Sequence, residues 1–549
     1  MLRALLLLKR ERNLLFSLPV RGYKNLQVHK MANLVFRSGL TSSGHLCIPV
    51  LIIGQLKHLT QLRFKDIKVK LDSRVTEQAY GLAVTSLNPS PTDTKSLFVN
   101  LASVAALPVI CSRHNTPSRA HSITKIIQSS VYGDTDEHIV IVCEHSDVYA
   151  SACAVARALP LYSKKSEANK TAATISVEFL VRGNDSGSAN PYVELTTDEI
   201  SCITNAATGV RLAARIVDTP CSEMNVDSFL TEVTKIGAEL DITPTVIRDK
   251  ELAAKGFGGI YGVGKAAKVP PALAVLSYTP TGATQTVAWV GKGIVYDTGG
   301  LSLKGKLAMP GMKRDCGGAA GILGAFYAAV KSGFTENLHA VFCLAENGIG
   351  PDATRPDDIL TLYSGRTVEI NNTDAEGRLV LSDGVFYASK DLKANIILDM
   401  ATLTGAQGIA TGKYHAAYLT NNGSWDDALM KSGLLSGDLV FPLPYCPEFH
   451  VGEFNSELAD MKNSVTDRHN AQASCAGIFI EAHLGFDHPG TWIHVDMAYP
   501  VHSGERATGY GVSLLTTLFG VYSKNPILRK ISPEIPSVDE RATKKARIN

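Results

Sequence analysis

Charged side chains set beside glycines gather in one interval of the sequence, from Lys292 to Arg378. A strand-like run at 287–291 delivers Lys292 and then Asp297, the latter in the turn Tyr296-Asp-Thr-Gly-Gly300, and Lys304 follows shortly. Asp315 stands directly before Cys316-Gly-Gly-Ala-Ala320, where a carboxylate would sit at or near a helix amino terminus. A second strand-like run at 367–370 leads into Asn371-Asn-Thr-Asp-Ala-Glu-Gly-Arg378. In an extended segment residues two apart face the same way, so Asp374 and Glu376 are expected to converge on one target. Like charges crowded into one pocket repel one another unless cations neutralise them. Two divalent ions would balance the charge of Asp297, Asp315, Asp374 and Glu376, which points to a carboxylate-bridged dinuclear site. Oxygen-rich ligand sets suit Mg or Mn as well as Zn, so ligand type alone does not choose the metal. Any one of these acids by itself reads as an ordinary surface carboxylate or helix cap; the ordered set with its glycines does not.

The elements around these residues read as α/β. Short apolar runs at 139–143, 174–181, 242–247, 272–276, 339–344 and 395–399 have strand length. Between them, Phe229, Val233, Ile236 and Leu240 share one helical face, and helices are expected at 317–331 and 378–389. Strands alternating with helices imply crossover connections, hence a helix-covered, largely parallel sheet that binds ligands beyond the carboxyl ends of its strands. The polar segment 183–190 reads as the rim of a first domain, and 205–217 as a helix joining two domains that stops at Pro220. The expected division is a smaller amino-terminal α/β domain at 31–195, a linking helix within 196–222, a larger catalytic domain at 223–525 and a flexible tail at 526–549.

Composition bounds the rest. A chain of 549 residues with 45% hydrophobic and 19% charged residues has room for two or three folded domains. A net charge of +2 provides no global field for nucleic acid or an anionic membrane. No apolar run is long enough to span a bilayer. The ten cysteines are scattered, without a C-x-x-C pair, and indicate a reducing compartment. Residues 1–30 are basic with Glu11 as their only acid, which fits either a mitochondrial leader or an extension ahead of Met31. The cytoplasm is the expected location, and the mitochondrion the alternative if the leader is genuine.

The strings Val290-Gly-Lys-Gly293, Asp297-Thr-Gly-Gly-Leu-Ser-Leu-Lys304, Asp315-Cys-Gly-Gly-Ala-Ala320 and above all Asn372-Thr-Asp-Ala-Glu-Gly-Arg-Leu379 resemble the leucyl (cytosol) aminopeptidase family. The likeness is greatest to its animal leucine-aminopeptidase-like branch, from about Met31 onward and including Asp218-Thr-Pro-Cys221. The resemblance implies that Asp297 and Glu376 bridge two metals, that Asp374 completes one site and that Lys292 and Asp315 complete the other. It also implies that Lys304 and Arg378 are the catalytic positions, with a bicarbonate at Arg378 relaying protons. Substrate would meet Lys304, Asp374, Met312 and the carbonyl of Leu403, the last in the loop Ala401-Thr-Leu-Thr-Gly405. Met312 reads equally as a filler of a core gap. The implied activity is removal of single leucine-like residues from the free amino end of peptides, by a homohexamer. The chain departs from the family pattern at Arg355-Pro-Asp-Asp358, where Asp357 replaces the usual Gly, and at Cys316.

Other readings fare less well. Gly259-Ile-Tyr-Gly-Val-Gly-Lys265 has the P-loop spacing, but Ala266 lacks the hydroxyl that holds Mg, and Pro270 and Pro271 cut the required helix short. Asp185-Ser-Gly187 and Asp297-Thr-Gly299 hint at an aspartic peptidase, yet their surroundings are not paired β-rich lobes. His114 and His121 read as ordinary polar residues of the first domain. A catalytically inactive descendant with a structural or nucleic-acid-binding role is the remaining alternative, and the complete ligand set argues against it.

Overall fold

A computed structural model describes residues 31–42, 48–99, 101–131, 133, 135–166, 173–183 and 191–536. The leader-like segment 1–30, most of the polar rim with Asp185, and the end of the basic tail lie outside the described residues.

The first sheet contains β1 (Asn33–Arg37), β2 (Val50–Gln55), β3 (Asp93–Phe98), β4 (Ala102–Leu107), β5 (Glu137–Glu144), β6 (Thr174–Arg182) and β7 (Tyr192–Val193). Its order is β1-β6-β5-β2-β4-β3, with β7 on β6, and every pairing is parallel except β3 with β4 and β6 with β7. The expected joining helix is longer than its apolar stripe suggested. Helix α1 runs Thr197–Asp218, because Thr196 and Glu199 form a capping box that starts it earlier. Its Ile203, Ala207 and Val210 share one apolar core with Ile139 and Ile141 of the first sheet and with Trp289 of the second.

The second sheet is built from β8 (Thr245–Arg248), β9 (Ala272–Tyr278), β10 (Thr286–Asp297), β11 (Asn337–Asn347), β14 (Ile396–Ala401), β15 (Ala416–Thr420), β16 (Val440–Pro442) and β18 (Thr491–Asp496). Strands β12 (Ile359–Thr361), β13 (Thr367–Glu369) and β17 (Met461–Lys462) form a small separate sheet. The order β16-β15-β18-β14-β10-β11-β9-β8 places four parallel strands, β18, β14, β10 and β11, at the centre, with antiparallel pairings toward both edges. Side chains alternate along β10, so Val287 and Trp289 enter one core while Ala288 and Val290 enter the other. Helix α2 (Gly317–Lys331) covers the first face; α3 (Gly377–Lys390) and α4 (Gln472–Leu484) cover the second. The expected helix-covered, largely parallel architecture is therefore present.

Three local expectations change. The run 242–247 is a strand only from Thr245, because the Ile242 N–H instead donates to Gly237 O and closes the preceding helix. The P-loop-like segment is helical over Gly258–Gly264 and packs against β12 and α3. The carboxyl-terminal segment is no tail at its start: Pro526–Ile531 is a helix that buries Ile527, Leu528 and Ile531. Thr196→Ala should remove one leg of the capping box and lower stability by about 1 kcal/mol, read from chemical denaturation.

Candidate active site

The strand that carries the first ligand candidates does not stop at Gly291. β10 continues to Asp297, with an extra residue between Ile294 and Asp297 relative to β11. Strict alternation would turn Lys292 and Asp297 to opposite faces; the bulge restores the phase, and both enter one pocket. The turn after Asp297 folds back through Gly299 and Gly300, whose φ angles of +85° and +60° are left-handed. A Cβ on Gly299 would lie 2.6 Å from Ser302 O and 2.9 Å from Asp374 Oδ1. The loop ends where the Lys304 N–H donates to Thr298 O.

Asp315 lies on a 3-10 turn, Met312–Cys316, directly before α2. Asp374 and Glu376 are not on an extended segment, contrary to expectation. Strand β13 ends at Glu369, and a turn closed by Ala375 N–H to Asn372 O brings the two carboxylates together at the start of α3. One oxygen each from Asp297, Asp374 and Glu376 fall within 4.8 Å of one another. Asp315 stands outside this tight triad and joins it through Lys292.

The lysines interleave with the acids. Lys292 Nζ lies 2.7 Å from Asp315 Oδ1 and 2.8 Å from Glu376 Oε1, and Lys304 Nζ lies 2.8 Å from Asp297 Oδ2 and 2.5 Å from Asp374 Oδ1. Lys292, Asp297 and Glu376 are each only 2% exposed, so solvent does little to screen them. Burial alone would lower the pKa of Lys292, but Asp315, Glu376 and Asp297 outweigh it and hold the ammonium above the ordinary lysine value. Lys304 is raised in the same way, chiefly by Asp297 against its own burial. Two lysines offset only half the charge of four carboxylates. Burial, then the charge of Asp297, accordingly pushes the Glu376 carboxyl up to about 8. Burial also raises Asp315 and Asp374. Asp315 Oδ2 and Glu376 Oε2 are buried with no hydrogen-bond partner among the described residues. Orphaned carboxylate oxygens beside an uncompensated negative charge fit divalent cations.

Arg378, the second residue of α3, is buried with its guanidinium carbon 5.9 Å and 5.8 Å from the ring centres of Phe454 and Phe479. Burial brings its pKa down to about 10, and its Nε and Nη1 have no hydrogen-bond partner among the described residues. All nine predicted site residues, Met312 and Leu403 included, line one cavity of about 480 Å³. His114 and His121 pack instead edge-on against Phe441 and Tyr414.

Sequence reasoning missed the residues that lock this arrangement. Thr373 Oγ1 donates to Gly299 O and accepts from Ser302 N, fastening the Asp374 turn to the Asp297 turn. Asn347 donates to both Asp297 Oδ1 and Thr373 O. Asn463 donates to Asn372 O and Ala375 O and accepts from the N–H groups of Asn371 and Asn372. Thr373 sits inside the signature string, but nothing local marks Asn463. Asp357, where the family pattern has Gly, takes a left-handed φ of +75°, and its N–H donates to Ile370 O. Asp tolerates that conformation better than most residues with a side chain.

The fold and cavity define an α/β protein with a buried site of clustered acids and lysines of the kind that holds divalent cations. A model of the cytosol aminopeptidase family catalytic domain matches residues 211–516, and one of the M17 aminopeptidase N-terminal domain 2 matches 48–168. The chain is 62% identical over 493 residues to the probable aminopeptidase NPEPL1 of Mus musculus, covering 89% of this chain and 93% of that protein. Its fold is similar to the solved leucine aminopeptidase of Caenorhabditis elegans, with a TM-score of 0.85 and 40% identity over 90% of this chain and 100% of that one. Leucyl aminopeptidase from Leishmania major, solved with actinonin, gives a TM-score of 0.78 and 35% identity over 88% and 94%. The chain belongs to the M17 cytosol (leucyl) aminopeptidase family and is a metallo-aminopeptidase.

The raised carboxyl of Glu376 sets a pH dependence for the metal-free protein. Unfolded, the group ionises near 4.5; folded, near 8. The native state holds the proton more tightly, so its stability should fall as pH rises through that window. Thermal denaturation with excess chelator should show this decline between about pH 5 and 8, and Glu376→Gln should flatten it.

Proposed function

We propose that this enzyme removes unblocked, leucine-like residues one at a time from the amino end of peptides, using two divalent cations. The observation that carries the reading is the buried excess of negative charge among Asp297, Asp315, Asp374 and Glu376, with orphaned oxygens on Asp315 and Glu376. Asp297, Asp374 and Glu376, with Asp315 and Lys292 beside them, would hold the ions. Zn, Mn and Mg all suit carboxylate oxygens; a lysine nitrogen favours Zn. Bound there, the cations would supply Lewis acidity and a water acidic enough to act as nucleophile at neutral pH.

The chain's own groups do the rest. Lys292 must lose its proton to serve as a ligand, and the arriving positive charge is what makes that loss favourable. Lys304, held between Asp297 and Asp374, directs its ammonium at the oxygen that becomes negative when the first peptide carbonyl is attacked. Arg378 leaves its buried Nε and Nη1 donors unpaired, and its planar guanidinium suits a bidentate anion such as bicarbonate, which would serve as proton relay. The Leu403 carbonyl would hold the peptide backbone, and Met312 would flank the first side chain. Among the described residues no helix is long and apolar enough to cross a membrane. We place the enzyme in the cytoplasm, in keeping with its scattered cysteines, and as a homohexamer.

Hydrolysis of aminoacyl-amides should disappear with chelator and return with added Zn or Mn. Asp297→Ala and Glu376→Ala should abolish turnover and lower bound metal measured by elemental analysis. Lys304→Ala should keep the metal and reduce kcat by about 100-fold or more. Full activity in Glu376→Ala would overturn the assignment.

A further inference from the structure

Beyond the residues that line the cavity, one buried carboxylate ties its two apolar walls together. Asp496 is the last residue of β18, 1% exposed, and does not itself line the cavity. Its Oδ1 accepts from the N–H of Leu403 at 3.1 Å and of Ala498 at 3.2 Å, and its Oδ2 accepts from Thr404 Oγ1 at 2.6 Å. Leu403 and Thr404 belong to the loop after β14; Ala498, Tyr499 and Val501 belong to the loop after β18; all five line the cavity. The first loop is also anchored at its other end, where Lys292 Nζ donates to Thr402 O at 3.0 Å and Thr402 Oγ1 donates to Asp315 Oδ1 at 2.8 Å. Residues 402–404 therefore bridge the acid cluster and Asp496.

We infer that Asp496 is a positioning residue for peptide binding: it fixes the distance between the Leu403 carbonyl and the acid cluster, and with it the register of the substrate's first residue. The substrate half of this inference rests on the role proposed above for Leu403. The geometry alone explains why a carboxylate is placed here. All three groups hydrogen-bonded to it are donors, and an acceptor-only side chain satisfies them without a proton of its own. An apolar replacement would strand two backbone N–H groups in a buried site. Asparagine can still accept both N–H groups on Oδ1 and can donate to Thr404 Oγ1, so it keeps the clamp while removing the charge.

The test compares Asp496→Ala and Asp496→Asn in the metal-loaded full chain, with KM, kcat, metal content and amide hydrogen exchange at 402–405 measured together. Asp496→Ala, which removes all three hydrogen bonds, is expected to raise KM for dipeptide substrates by about 10-fold, with a smaller change in kcat, unchanged metal and faster exchange across the loop. Asp496→Asn is expected to stay within about threefold of wild type on every reading. Should Asp496→Ala fail to fold, Thr404→Val cuts the Oδ2 leg alone and should raise KM about threefold. Wild-type KM and exchange in Asp496→Ala or, in its place, Thr404→Val would overturn the inference. So would an Asn variant as impaired as Ala, since charge rather than donor geometry would then be what matters. Hydrogen exchange needs no turnover, so a wild-type protein that cleaves nothing would remove the aminopeptidase reading while the clamp itself is still decided.

Discussion

Repulsion among four carboxylates buried in one crevice is the constraint that the rest of the molecule serves. In water such charges would separate; here a bulged strand, a 3-10 turn and a helix start hold them together with two lysines between them. The lysines compensate part of the charge, and what remains shows as a Glu376 carboxyl raised to about 8 and as oxygens without partners. A site that resists its own assembly in this way is prepared to hold cations strongly, because each cation relieves a repulsion already present in the fold.

The scaffold has to be stiff enough to sustain that repulsion. Central parallel strands with apolar cores on both faces provide it, and buried polar side chains lock the turns around the acids. Thr373 joins two acid-bearing turns, Asn347 spans from β11 to both, and Asn463 holds the Asp374 turn from a segment far along the chain. Space is equally constrained: a Cβ on Gly377 would come within 2.7 Å of Lys292 Nζ. The signature string therefore encodes a steric gap as well as its two acids.

What could be read in the sequence follows from what is local. The ligand candidates, the helices after Asp315 and Glu376, and the parallel core all have short-range signatures, and each appears where the glycines and apolar runs indicated. Phase and reach were not legible. The bulge before Asp297 is set by pairing with β11, and the turn at Asp374 by Asn463, neither of which leaves a mark within a few residues. The early start of α1 is legible, since Thr196 and Glu199 spell a capping box. Asp496 escaped notice because a lone acid at a strand end is common, and only its three donors reveal its place.

The most direct test of the charge argument is calorimetric titration of the metal-free full-length protein with Zn²⁺ near pH 7, repeated in buffers of different ionisation enthalpy. Because Lys292 and Glu376 hold protons that ligation must expel, the account predicts two equivalents bound per chain with net release of protons to the buffer. Binding of fewer than two equivalents, or of two with no proton release, would contradict it.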